Sequence, residues 1–153
     1  MANNQSCGEG MGSFNFACKF LKVEDGTEII KCRDLQELLS WTLKGDSPEQ
    51  WARYAVVDCL TFRMRDGEMI PEASEPEPGE FVVRLTPNEE AKVLLHNEMV
   101  KGQVSRADLA RKANLRLSDV TRLLNLNHKT KIETIVSALN SLGKDLKLTL
   151  VSL

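Results

Sequence analysis

Apolar and polar positions alternate along the first half of the chain and recur at helical spacing along the second. In FNFACKFLKV, Phe14, Phe16, Cys18 and Phe20 alternate with Asn15, Ala17 and Lys19. That is the repeat of a half-buried strand, because successive side chains on extended backbone point to opposite faces. Asp25-Gly26 predicts a type I′ hairpin turn, whose two central residues both need positive φ, and TEIIKC supplies the return strand. A third short strand is expected between Leu38 and Leu43, closed by Gly45. Ser47-Pro48-Glu49-Gln50 opens a helix: Ser47 caps it, Pro48 suits its first position, and Gln50 can reach back to complete a capping box. Trp51, Ala55, Cys59 and Phe62 follow at helical spacing, widened by Ala52, Val56 and Leu60, so the helix is expected to pack on the sheet. FVVRL reads as one more strand rejoining that sheet.

From residue 86 the period changes. Thr86-Pro87-Asn88-Glu89 is a capping box that opens a helix through about Val100, Ser105 with Asp108 opens another, and Thr130 with Glu133 a third. A further helix lies within 116–125. The last helix carries Ile132, Ile135, Val136 and Leu139 and stops at Gly143, after which LKLTLV alternates again and predicts a final short strand. Residues 71–80, PEASEPEPGE, hold three prolines and four glutamates with nothing to bury, and so read as an extended acidic loop or linker. The expected organisation is α+β: a tail over 1–13, a sheet-and-helix domain over 14–85, and an all-α domain over 86–153.

Charge sharpens that division. Residues 1–86 carry 9 Lys/Arg against 15 Asp/Glu, a balance of -6, and residues 87–153 carry 11 against 7, a balance of +4. Between Lys101 and Lys131 there are eight basic residues and two acidic ones, Asp108 and Asp119. An acidic half and a basic half point to a different partner for each. No apolar run is long enough for a membrane span, and the Asn-, Gly- and Ser-rich start lacks the features of a secretory signal, so a cytoplasmic location is expected. Cys7, Cys18, Cys32 and Cys59 are too widely spaced for a zinc clip and are expected as free thiols, with neither metal nor cofactor.

The segment SRADLARKANLRLSDVTRLLN, residues 105–125, has the requirements of a helix-turn-helix. Ala110 is a small residue where two helices would touch, Asn114 tolerates left-handed backbone in the turn, and Val120 and Leu123 return the second helix onto the first. The segment resembles the helix-turn-helix of the Xre/Cro-like repressors over roughly residues 87–143. That resemblance implies that the second helix, from about Arg116 or Leu117, enters the major groove of DNA. Arg116, Leu117, Ser118, Asp119, Thr121 and Arg122 would then face base edges and phosphates, with Arg106, Lys129 and Lys131 near phosphates. Many relatives carry Gln at the position of Arg106 and a polar residue at that of Leu117.

The first half, with Asp34-Leu35, Gly45-Asp46-Ser47, Glu49 and Met69-Ile70-Pro71 in order before EFVVRLTP, resembles the HicB antitoxins, so that the combined likeness covers about residues 14–153. It departs from them at Gln36-Glu37, where relatives often have Pro-Gly. The resemblance implies a degenerate ribonuclease-H-like domain that masks a small, basic, HicA-like, mRNA-cleaving toxin. It also implies a DNA-binding domain that represses the operon by binding operator DNA as a homodimer. The last helix and LKLTLV are the candidates for the dimer contact. Two other readings stay open from the residues alone: an interaction module without DNA binding, and a metal-dependent nuclease. The nuclease is disfavoured because Asp34, Asp46, Asp58 and Asp66 are scattered over turns and one helix, and both histidines, His96 and His128, lie in the basic half. No catalytic residue is assigned.

Overall fold

In a computed structural model of the chain, which describes residues 13–153, the alternating stretch becomes two antiparallel strands, β1 (Phe16–Lys22) and β2 (Glu28–Cys32). Their register places Cys18 opposite Cys32 and Leu21 opposite Ile29. β3 (Leu39–Trp41) adds to β2 and β4 (Phe81–Val83) to the far side of β1, giving an antiparallel sheet of order β3-β2-β1-β4. Phe16, Cys18, Ile30, Cys32 and Val83 are buried and the alternate Lys19 and Lys31 are exposed, as period two requires, but Ala17, expected on the outward face, is buried as well.

The hairpin turn corrects the type I′ expectation. Gly26 has φ 86°, but Asp25 is not in the left-handed region. The Asp25 carboxylate instead accepts bonds from Thr27 N (2.9 Å) and Thr27 Oγ1 (2.6 Å), while Val23 N donates to Thr27 O. A three-residue loop held by an aspartate side chain leaves the positive φ to glycine alone.

Helix α1 (Pro48–Arg65) also departs in detail. Gln50 N donates to Ser47 Oγ, but the Gln50 amide turns forward to Tyr54 instead of back to the cap. The buried stripe is Ala52, Val56, Cys59 and Leu60, while Trp51 and Phe62 face outward. Side-chain ties select this face: Arg53 donates to Arg84 O beyond β4, and Arg63 and Cys59 donate to Glu37 ahead of β3. Arg63 draws the Glu37 carboxyl down to about 2. The acidic loop 71–80 is fastened in the same way. Ser74 N and Oγ donate to Asp34 (2.9 and 2.5 Å), and Arg33 grips Glu80 through Nε and Nη2 (2.9 and 2.8 Å).

The described chain forms two compact units, one of residues 13–63 and Ile70–Leu85, the other of Met64–Met69 and Thr86–Leu153. Four helices build the second: α2 (Pro87–Lys101), α3 (Arg106–Ala113), α4 (Leu117–Leu123) and α5 (Ile132–Ser141). The capping boxes at Thr86/Glu89 and Ser105/Asp108 both form. The expected Thr130/Glu133 box does not: Lys131 takes the cap position without a side-chain bond, and Thr130 N and O pair with the Asn88 amide instead. Nor is LKLTLV a strand, since alternation makes one only with a partner, and Leu148, Leu150 and Val151 stand exposed.

Cys18, Cys32 and Cys59 are buried and free. Cys7 and the expected tail, apart from Ser13, lie outside the described residues. Among those residues no helix is long and apolar enough to cross a membrane.

Candidate nucleic-acid interface

Helix α3 stops where Asn114 adopts φ 54° and ψ 51°. An asparagine tolerates this because its short polar side chain costs less there than a branched one. Leu115 N then closes the turn on Ala110 O at 2.8 Å, and α4 begins two residues later. Leu109, Val120 and Leu123 are fully buried, the small Ala110 is half-buried, and α3 packs on α4.

With its inner side fixed by Val120 and Leu123, α4 turns its other residues to solvent. The side chains of Arg116 and Arg122 are 80% and 52% exposed, Leu117 is 56% exposed, and Ser118 and Thr121 are exposed too. Asp119 sits between the arginines, accepting from Arg116 Nε at 3.1 Å and from Arg122 Nη1 at 3.0 Å. The bond from Arg116 holds the Asp119 carboxyl below the usual range, and Asp119 raises Arg116 in turn. One carboxylate thus orients two guanidinium groups and leaves the cluster with a single net positive charge. Thr121 Oγ1 donates to Leu117 O (3.1 Å), so its hydroxyl oxygen remains an acceptor.

Lys129 and Lys131 are exposed in the loop before α5 and make no ion pair among the described residues. Arg106 is placed differently. It is half-buried and lines a cavity of about 390 Å³ together with His96, Gln103 and Leu124. His128, also exposed, places Nδ1 3.3 Å from Thr130 Oγ1.

Sequence reasoning missed what lies beneath this surface. Asn88, Lys92 and His96 recur every fourth residue along one side of α2, and each binds main chain from another segment. Lys92 is fully buried, and its Nζ donates to the carbonyls of Arg122 (3.1 Å), Asn125 (2.8 Å) and His128. Burial brings its ammonium down to about 8. His96 Nε2 donates to Glu68 O at 2.7 Å, since a carbonyl only accepts, and burial pushes the imidazole below its usual range. The signal was available: three polar residues stand at i, i+4 and i+8 on a helix whose other buried positions are the apolar Ala91, Val93, Leu95 and Met99 together with Glu89 and Asn97. Among the described residues no three His, Cys, Asp or Glu gather as a metal ion would need.

Residues 15–94 match the family described as the HicB-like antitoxin of bacterial toxin-antitoxin systems. Curated relatives extend the likeness through the helical unit. Antitoxin HicB 2 of Photorhabdus laumondii is 35% identical over 142 residues, covering 91% of this chain and 98% of that protein. Antitoxin HicB of Pseudomonas fluorescens is 32% identical over 145 residues, covering 92% of this chain and 96% of the relative. Antitoxin HicB of Escherichia coli K12 is 28% identical over 127 residues, covering 83% and 92%. With the family match spanning more than half of the sequence and these relatives nearly all of it, the chain belongs to the HicB-like antitoxins.

Proposed function

We propose that the protein is the antitoxin and autorepressor of a toxin–antitoxin pair. Its sheet unit, read as a degenerate ribonuclease-H-like domain, masks a small basic HicA-like toxin that cleaves mRNA. Its helical unit, read as a helix-turn-helix over α3 and α4, binds operator DNA. The acidic balance of residues 1–86 suits a basic partner through complementary fields. The observation that carries the DNA reading is the outward set Arg116, Ser118, Thr121 and Arg122 on a short helix that follows a left-handed turn. Lys129 and Lys131 flank it as phosphate contacts. Homodimerisation follows from the reading, because such repressors address half-sites about one helical turn, roughly 34 Å, apart. The exposed Leu148, Leu150 and Val151 leave apolar surface for a second copy.

A gel-shift titration against the promoter of its own operon, repeated at rising salt, tests the reading. Affinity should fall steeply with salt, as phosphate contacts release counterions. Arg122→Ala should weaken DNA binding by about 1–3 kcal/mol and leave toxin binding intact. Salt-insensitive binding, or an equal loss of both partners, counts against it. The second reading, an interaction module without DNA affinity, draws on Asp119, whose carboxylate within the arginine pair repels phosphate. It predicts no shift at any salt concentration.

A further inference from the structure

The ammonium of Lys92 has three N–H donors, and three main-chain carbonyls meet it. Arg122 O belongs to the last turn of α4, where a helix leaves carbonyls without intrahelical partners. Asn125 O and His128 O belong to the loop that leads to Lys129 and Lys131. Asn88, one turn earlier on α2, takes up Thr130 N and O. A segment without regular structure is therefore fixed from inside the unit by two side chains of one helix. We propose that Lys92 is the positioning residue of the candidate nucleic-acid surface: its ammonium sets where the end of α4 and the Lys129–Lys131 loop stand. The proposal rests on the reading of α4 as the DNA-contacting helix.

The charges around Lys92 make the idea testable by pH. On α2, Glu89 favours the ammonium. On α4, the Arg122 side chain turns outward to Asp119. In the loop, the His128 ring turns to Thr130 and Lys129 is exposed; on α5, Glu133 is exposed. Burial outweighs these and places the ammonium at about 8, below its ordinary 10.5. A neutral amine has two N–H groups, so losing the proton takes the Lys92 bond from one of the three carbonyls. Arg122 O, a longer contact than Asn125 O and one that also accepts from Asn125 N (3.2 Å), is the candidate to be released. Between the two values the folded chain holds fewer protons than the unfolded one, so the Lys92 contribution to stability rises with pH. The clamp thus loosens while the fold does not weaken, a combination that a merely structural lysine does not produce.

The experiment uses the full chain at fixed salt, from about pH 7 to about pH 9.5 across the Lys92 titration. It reads backbone amide resonances, affinity for the promoter duplex, and the urea midpoint. Amides of residues 122–130 should move together with a midpoint near pH 8. Affinity should fall about 3- to 10-fold, the factor of one lost hydrogen bond, while the urea midpoint holds or rises. Lys92→Met should bind more weakly at neutral pH and lose the step in both spectra and affinity. If that variant does not fold, the wild-type profile decides alone. Amides 122–130 that stay still across pH 8, or an affinity loss that merely tracks the urea midpoint, overturn the proposal. No binding to the duplex at neutral pH and low salt sinks the repressor reading instead, and the amide resonances still decide whether Lys92 places the loop.

Discussion

The two units fill their interiors with different materials. Every Phe, both Trp and the single Tyr lie in the sheet unit, and the helical unit contains none of them. Its core is Leu, Ile, Val, Ala and Met. Among the described residues, buried polar groups divide the other way: Thr42 is the one in the sheet unit, whereas Glu89, Lys92, His96 and Asn97 all lie on α2. A helix laid across a sheet leaves a thick slab that large side chains fill, and its backbone polar groups are satisfied within the strands. Short helices joined by irregular loops leave main-chain carbonyls facing inward, and these demand donors. In the sheet unit the strong charge pairs Arg33–Glu80 and Arg63–Glu37 each keep one partner open to solvent, while the helical unit brings a cation inside and turns Arg116 and Arg122 outward.

The largest test asks whether apolar packing still dominates in the unit with polar wiring. Leu60→Ala in the sheet unit and Leu109→Ala in the helical unit each remove a fully buried side chain and should each cost about 2–5 kcal/mol. Trp41 and Trp51 report the first by fluorescence during urea unfolding. The second requires hydrogen exchange of the α3–α5 amides, because no tryptophan lies there. A cost below about 1 kcal/mol for Leu109→Ala would mean that the Lys92 and Asn88 contacts, not packing, hold the helices, and the contrast would need redrawing.

Acid separates the units with a smaller effect. His96 is held below its usual 6.5 by burial, so as pH falls through about 6.5 the unfolded chain takes up a proton that the folded one refuses. Stability of the helical unit therefore declines from there downward. Glu90, raised by burial, acts in the opposite sense, but only as the carboxylate range is reached. Glu37 and Glu80 are lowered from 4.5 to about 2, so their contribution is present above 4.5 and is lost as pH falls toward 2. Solvent reaches Arg33 and Glu37 in these pairs, so both contributions are small. Exchange rates followed from neutral pH to about pH 4 should rise first in α2–α5, and His96→Gln should remove the early loss. Simultaneous loosening of both units would show that His96 is not its source.

What the sequence revealed of this architecture depends on the reach of each interaction. Thr86/Glu89 and Ser105/Asp108 were legible because a capping box closes within four residues, and Asn114 because its turn is local. Thr130/Glu133 has the same pattern and fails because Asn88, 42 residues away, has already taken the Thr130 main chain. The inward side of α1 was misjudged at Trp51 and Phe62 because the helix is apolar around much of its circumference. Arg53, Cys59 and Arg63 choose the face through partners on other elements. Of the candidate site, the outward residues of α4 follow from the inward Val120 and Leu123 by helical period alone. Lys92 does not: its three acceptors lie 30 to 36 residues along the chain, and a lysine at such a position otherwise reads as solvent-facing.

The smallest test lies at the turn between α3 and α4 and addresses a last difference between the units. The sheet unit meets its positive φ angles with glycine, at Gly26, Gly45 and Gly79, whereas the non-glycine residues with positive φ in the described chain, Gln103 and Asn114, are both in the helical unit. Asn114→Ala keeps a Cβ but loses the polar group that makes the left-handed region tolerable, and should cost about 1 kcal/mol. Asn114→Gly relieves the backbone but frees the unfolded chain, and these opposing terms should leave stability within about 0.5 kcal/mol of the parent. Urea midpoints followed by far-ultraviolet dichroism distinguish the two variants. If the reading of α4 holds, Asn114→Gly should also retain DNA affinity, because the turn needs the left-handed angle and not the asparagine side chain itself. A glycine variant as unstable as the alanine one would place the function of Asn114 in its side-chain contacts instead of its backbone.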